Sequence, residues 1–163
     1  NMIIGLGNDI AEKSRIGAIF AKYKGKFLHK ILSHGEQKEL SLINCPTKRL
    51  GRISNLFAAK EAFAKATGLG IGQWHKSQGV MLQFTDIAIL HDEYGKAYID
   101  LPASLCAKLF GQARHASRVS NDSQVSKASC VKFHLSLTDS KDYSFATVII
   151  EQLQESPKKP QER

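Results

Sequence analysis

The sequence predicts a single α+β domain in which helices pack on an antiparallel sheet, and three observations lead to that class. Helical periodicity occupies the first part of the chain, from Ile16 to Ala66, and strand patterning occupies the part after Gly79. Grouping helices before strands favours α+β over a doubly wound sheet, in which the two would alternate. A length of 163 residues is enough for one buried core without disulfides or a structural metal.

Residues 2–6 form a short apolar run that predicts a buried strand, and Gly7-Asn8-Asp9 predicts a turn presenting an acid at the strand end. From Ile16, the apolar residues Ile19, Phe20, Tyr23, Phe27, Ile31 and Leu32 recur every three or four positions. That spacing predicts an amphipathic helix interrupted near Gly25, with Arg15, Lys22 and Lys26 on its solvent side. Ser33 is a capping residue for a second helix reaching Leu42, which Asn44-Cys45-Pro46 ends. A third helix spans 47–66 and stops at Gly68.

Gly68 to Gly79 is a glycine-studded connector. It follows a helix rather than a strand and lacks a Gly-Lys-Ser/Thr ending, so it is not read as a phosphate loop. Val80–Leu90 predicts a strand, His91–Gly95 a turn and Lys96–Leu101 the hairpin partner, followed by a helix over Leu101–Phe110. Residues 111–129, rich in Ser, Arg and Asn, predict an inserted surface loop. Strands over Cys130–Thr138 and Ser144–Gln152, joined by a turn at Asp139–Asp142, close a domain of residues 2–152, and 153–163 form a tail.

The formal net charge is +8, and much of the excess lies in one segment, where Lys13, Arg15, Lys22, Lys24, Lys26 and Lys30 face Glu12 alone. Such a segment suits an anionic partner, and charge by itself does not choose among nucleic acid, membrane, acidic protein and phosphorylated small molecule. Cys45, Cys106 and Cys130 are odd in number and lack metal-ligand spacing, which points to a reducing compartment. No basic segment precedes the apolar run Met2–Leu6 and no long apolar stretch follows, so a cytoplasmic protein without membrane anchoring is expected.

The run Phe57-Ala58-Ala59-Lys60-Glu61-Ala62-Phe63-Ala64-Lys65-Ala66 carries the most information. Glu61 and Lys65 are four apart and share a helix face, while the alanines offer a smooth wall against which another element can pack closely. In isolation this reads as a surface ion pair. Two further segments change that reading: Met2-Ile3-Ile4-Gly5-Leu6-Gly7-Asn8-Asp9-Ile10, and His134-Leu135-Ser136-Leu137-Thr138-Asp139 with Ala146 to Glu151. In this order the three resemble the opening strand, signature helix and C-terminal hairpin of the holo-acyl-carrier-protein synthases, small 4′-phosphopantetheinyl transferases, across nearly the whole chain.

The resemblance implies that type of α+β fold, a homotrimer with sites at subunit interfaces, and transfer of 4′-phosphopantetheine from coenzyme A to a serine of apo acyl carrier protein. The product would be holo carrier with release of adenosine 3′,5′-bisphosphate, in fatty acid biosynthesis. It assigns Asp9 and Glu61 to a magnesium ion, which typically takes one or two carboxylates and fills its other positions with phosphate oxygens and water. It makes Asp9, Glu61 and Lys65 catalytic, with Lys65 holding the pyrophosphate, and Glu61 or a magnesium-bound water receiving the serine proton. Lys60, Lys65, His134, Ser136 and Thr138 are expected at the coenzyme, and Arg15, Lys22 and Lys26 at the acidic carrier protein.

Two departures stand out. Leu56 occupies the position where the family usually carries arginine, and Arg52, one turn earlier, is the candidate substitute; the family's Gly-Lys-Pro turn is here Gly95-Lys96-Ala97. Two other functions fit parts of the pattern: a basic nucleic-acid-binding module, for which no known motif spacing is present, and a magnesium-dependent phosphohydrolase using the same two carboxylates.

Overall fold

The structure, a computed structural model, describes residues 1–77, 79–111 and 131–153. The inserted loop predicted over 111–129, apart from Gly111, and the tail predicted over 153–163, apart from Leu153, lie outside the described residues. The chain begins with strand β1 (Met2–Glu12), followed by helices α1 (Lys13–Ile31), α2 (His34–Ser41) and α3 (Pro46–Thr67). Two short hairpins come next, β2 (Trp74–His75) with β3 (Val80–Met81), and β4 (Ala88–His91) with β5 (Ala97–Asp100), separated by a 3-10 turn at Phe84–Asp86. Helix α4 (Ala103–Phe110) precedes the closing hairpin of β6 (Val131–Asp139) and β7 (Tyr143–Gln152). The main sheet has the order β1-β7-β6 and is antiparallel throughout, so the last strand lies at its centre beside the first.

Helix α3 is the axis of the domain. Pro46 in its first turn supplies a helical φ where no N–H partner is needed, and Gly68 ends it in the left-handed conformation at φ 73°. Its alanines Ala58, Ala59, Ala62 and Ala66 are buried, and they let the helix approach β1 until backbone meets backbone. A Cβ on Gly5 would lie 2.2 Å from the Ala66 carbonyl oxygen, and one on Gly7 would lie 2.1 Å from that of Ala62. Only glycine fits there. The remaining core closes around this contact, with Phe63 meeting Phe133 edge to face at 5.5 Å and Val131, Ala146, Val148 and Ile150 covering the inner face of the sheet.

The helices follow the sequence closely. Ser33 caps α2 through a reciprocal box with Glu36, its hydroxyl accepting from the Glu36 N–H while the Glu36 carboxylate accepts from the Ser33 N–H. The interruption expected near Gly25 falls on Lys24, at φ 44° and ψ −122°, inside α1.

Four expectations are corrected. The strand begun at residues 2–6 is not buried: Met2, Ile3, Ile4 and Leu6 are exposed, because α3 packs on the side of β1 that carries Gly5 and Gly7. Gly7-Asn8-Asp9 is not a turn: β1 continues to Glu12, with these residues paired to Val148, Thr147 and Ala146, because a full ladder with β7 and the need for small residues under α3 override turn propensity. The strand expected over Val80–Leu90 is broken, because Asp86 caps a 3-10 turn by accepting the Gln83 N–H at 2.9 Å, leaving two short strands. Strand β6 also runs one residue further, to Asp139, where its carboxylate holds Lys13 at 2.7 Å.

The close approach generates a prediction. Gly7→Ala should cost at least about 2 kcal/mol, because neither backbone can move without unzipping β1 from β7. Chemical denaturation of wild type and variant checks it, and equal stabilities would contradict the packing described.

Candidate active site

Strand β1 carries Asp9 on the face turned toward α3, since its partner Ala146 belongs to the buried inner row. Lys65, in the last turn of α3, reaches back to it with Nζ 2.8 Å from Asp9 Oδ1. Glu61 lies one turn earlier on the same face, half-buried. Burial pushes its carboxyl above the usual range and the nearby Asp9 carboxylate adds to the shift, while the cations Lys65 and Arg15 oppose it. Two acids and two bases therefore act on one another in a small volume. A cavity of about 270 Å³ opens beside them, lined by Asp9, Glu12, Arg15, Phe57 and Glu61 among others.

The donor set decides which ion this cavity suits. Among the described residues no group of three or more His, Cys, Asp and Glu side chains converges, so a zinc site closed by protein ligands is not built here. Two carboxylates beside a cavity fit magnesium, which completes its shell with phosphate and water oxygens. Asp9 and Glu61 are the residues that would hold it.

Histidine 134 and its neighbours do not join this cluster within one chain. His134, Ser136 and Thr138 alternate with Phe133, Leu135 and Leu137 along β6, and their partners on β7 are Ile149, Thr147 and Phe145. They stand on the outer face of the sheet, opposite to Asp9. There His134 Nε2 lies 2.8 Å from Glu151 Oε2, an interaction that holds the Glu151 carboxyl below its ordinary range. The same face exposes Leu6, Ile10 and Phe145, with Leu6 64 % and Ile10 60 % accessible. These three residues make an apolar row on that face.

The other expected residues divide clearly. Arg15, Lys22 and Lys26 are exposed along α1, as its periodicity predicts. Lys60 is a correction: it has no exposure, and its ammonium is held by Glu36 Oε2 and the carbonyl oxygens of Ile31 and Phe84, on the side of α3 away from Asp9. It is not carried further as a coenzyme ligand. Arg52 does not replace the missing arginine either, because its guanidinium is bound to Glu39 at 2.6 Å and faces the ring of His91, while Leu56 itself is fully buried.

Phe57 was not singled out as a site residue, yet it walls the two-carboxylate cavity and a larger apolar groove of about 450 Å³ running along α1 past Ile19, Tyr23, Phe27 and Phe84. Its position four residues before Glu61 puts it on the same helix face, which is the signal that could have found it.

Comparison with known proteins shows the family. The model of the 4′-phosphopantetheinyl transferase superfamily matches residues 5–148, and the chain belongs to that family. Within it, the chain is 34 % identical over 152 residues to the holo-acyl-carrier-protein synthase of Geobacillus sp. (strain WCH70), covering 93 % of this chain and 99 % of the relative. It is 36 % identical over 151 residues to that of Vibrio cholerae serotype O1 (strain ATCC 39541 / Classical Ogawa 395 / O395), covering 92 % and 98 %. Among solved structures, the Neisseria meningitidis holo-acyl-carrier-protein synthase superposes with a TM-score of 0.67 at 30 % identity, covering 93 % of this chain and 100 % of that one. The Bacillus anthracis str. Ames enzyme, solved in complex with CoA (3′,5′-ADP), gives 0.65 at 26 % identity, covering 93 % and 99 %. No helix among the described residues is long and apolar enough to cross a membrane.

The engagement of Arg52 generates a prediction about pH. Burial, followed by the adjacent Arg52 charge, lowers the His91 pKa, so the fold favours the neutral ring. That contribution is complete above the ordinary histidine value of about 6.5 and is lost as pH falls through it toward the folded value. Wild type should therefore lose more stability between about pH 7.5 and about pH 5.5 than His91→Gln, as read by thermal unfolding. Equal losses would contradict the account of this cluster.

Proposed function

We propose that the chain transfers 4′-phosphopantetheine from coenzyme A to a serine hydroxyl of an apo acyl carrier protein, releasing adenosine 3′,5′-bisphosphate. The observation that carries the reading is the meeting of Asp9 and Glu61 at one cavity beside a basic helix, with Lys65 paired to Asp9. In the reaction the serine oxygen bonds to the phosphorus bearing the pantetheine arm, and the bond from that phosphorus to the bridging oxygen breaks. The electron pair leaves with the nucleotide, and the hydroxyl proton passes to a base. Among the chain's own side chains Glu61, one turn from the lysine that would hold the phosphates, is the candidate base for that proton.

The chain's own contribution is positioning and charge. Asp9 and Glu61 would hold magnesium, which when bound supplies Lewis-acid neutralisation of the pyrophosphate. Lys65, more than half exposed and tied only to Asp9 in the described geometry, is within reach of a phosphate oxygen entering the cavity. Arg15 stands where the cavity meets α1, and Lys22 and Lys26 continue its positive face, which suits a small acidic carrier and predicts salt-sensitive encounter.

A second copy completes the coenzyme site in this reading. His134, Ser136 and Thr138 lie behind the sheet from Asp9, on the face bearing exposed Leu6, Ile10 and Phe145. Burying that row against a neighbour would bring one copy's His134 face to another's Asp9 cavity, and a homotrimer closes such a repeated contact without leaving a free face. Cys45 and Cys106 are unpaired, in keeping with a cytoplasmic setting.

Intact-mass spectrometry tests the function. Apo carrier protein incubated with the chain, coenzyme A and magnesium should gain the mass of one phosphopantetheine, and no gain at high enzyme concentration would contradict the reading. Asp9→Ala and Glu61→Ala should each lower turnover roughly 100-fold or more while leaving the circular dichroism spectrum unchanged. Near-normal turnover in either variant would remove that residue from the metal site.

A further inference from the structure

Lys60 adjoins Glu61 in the signature run, yet its charge is used inside the protein. Its Nζ donates to the carbonyl oxygen of Ile31 at 2.6 Å, to that of Phe84 at 2.8 Å and to Glu36 Oε2 at 2.6 Å, so all three of its protons have acceptors. Glu36 is engaged through both oxygens in turn. Its Oε2 also accepts the Ser33 N–H at 2.7 Å, and its Oε1 accepts the Ile89 N–H at 2.8 Å. Neither side chain has any exposure.

A buried ion pair is poor value as stabilisation, since two well-packed apolar side chains of similar volume are often as stable or more so. What an apolar pair cannot supply is direction. The Lys60 ammonium takes hold of two particular backbone carbonyls, and both belong to residues whose side chains line the apolar groove, Ile31 and Phe84. Phe84 stacks on Phe57 with ring centres 5.3 Å apart, and Phe57 is also a wall of the two-carboxylate cavity. The Ile31 carbonyl ends the part of α1 beyond the break at Lys24, the part that carries Lys26 and Lys30 on the groove's rim.

We propose that Lys60, with Glu36 as its counter-ion, is a positioning residue for the carrier-docking surface: by gripping the Ile31 and Phe84 carbonyls it fixes the groove and its basic rim relative to Glu61 without touching either substrate. This rests on the reading of α1 as the docking element. The part of α1 beyond the backbone break has its closing carbonyl anchored to α3 through this ammonium, so Lys26, Lys30 and the catalytic helix move as one body. The pair also ties α2 and β4 into the same body through Ser33 and Ile89.

The test uses the full chain as the double variant Lys60→Met/Glu36→Gln, which removes both charges together. The KM for apo carrier should rise between about tenfold and about a hundredfold, while kcat at saturating carrier and the KM for coenzyme A change less than about twofold. Amide hydrogen exchange should quicken at Leu32 and through Phe84–Ile89 and stay unchanged in β1 and β7. This readout needs no turnover, so it judges the inference even if the wild type proves unable to modify a carrier, a result that would sink the proposed function instead. A rise in the coenzyme KM matching or exceeding that for carrier, unchanged kinetics, or unaltered exchange in those segments would each overturn the inference. Should that double variant fail to fold, Lys60→Gln/Glu36→Gln, which is also neutral but keeps hydrogen-bonding side chains at both positions, carries the same expectations at smaller size.

Discussion

The contact between the backbone of β1 and the backbone of α3 is the constraint on which the rest of the molecule depends. Gly5 and Gly7 leave no side chain between strand and helix, and Ala62 and Ala66 meet them with none larger than a methyl. At this separation Asp9, two residues beyond Gly7, comes within hydrogen-bond distance of a helix side chain, and Lys65 spans the gap at 2.8 Å. A larger residue at either glycine would push the helix outward and separate the acid of the strand from the acid of the helix. Packing and chemistry are therefore set by the same atoms.

The two lysines of the signature helix show how five positions separate two uses of one charge. Lys65 projects at the exposed end, where solvent carries much of its hydration and a phosphate can replace Asp9 as its partner. Lys60 lies in the interior, where desolvation lowers its pKa and Glu36 opposes the shift. The first is exchangeable and the second is spent on architecture. Arg52 is committed in the same way to Glu39 and His91, so Arg15 of α1 lines the cavity and Lys65 stands beside it on Asp9.

Much of this was legible in the sequence because it rests on local rules. The α2 cap at Ser33, the α3 stop at Gly68, an opening strand ahead of Asp9 and the shared face of Glu61 and Lys65 follow from spacing and residue type. What stayed hidden depends on non-local contact. Gly7-Asn8-Asp9 has turn composition, and its extended conformation is dictated by β7, more than 130 residues away. Spacing puts Lys65 on the Glu61 face, but the burial of Lys60 depends on Glu36 of a separate helix, which the run does not show. Alternation along β6 places His134, Ser136 and Thr138 together, yet which face of the sheet Asp9 occupies is decided by α3.

That last point makes the central claim open to direct measurement, since Asp9 and His134 stand on opposite faces of one sheet and are proposed to meet only between copies. Asp9→Ala and His134→Ala proteins, each assayed alone for transfer to apo carrier, should be strongly impaired. Co-refolded in equal amounts, they should recover a substantial share of wild-type turnover, because mixed assemblies contain junctions with Asp9 from one copy and His134 from its neighbour. No recovery from assemblies shown by mass to be mixed would contradict a site shared between copies.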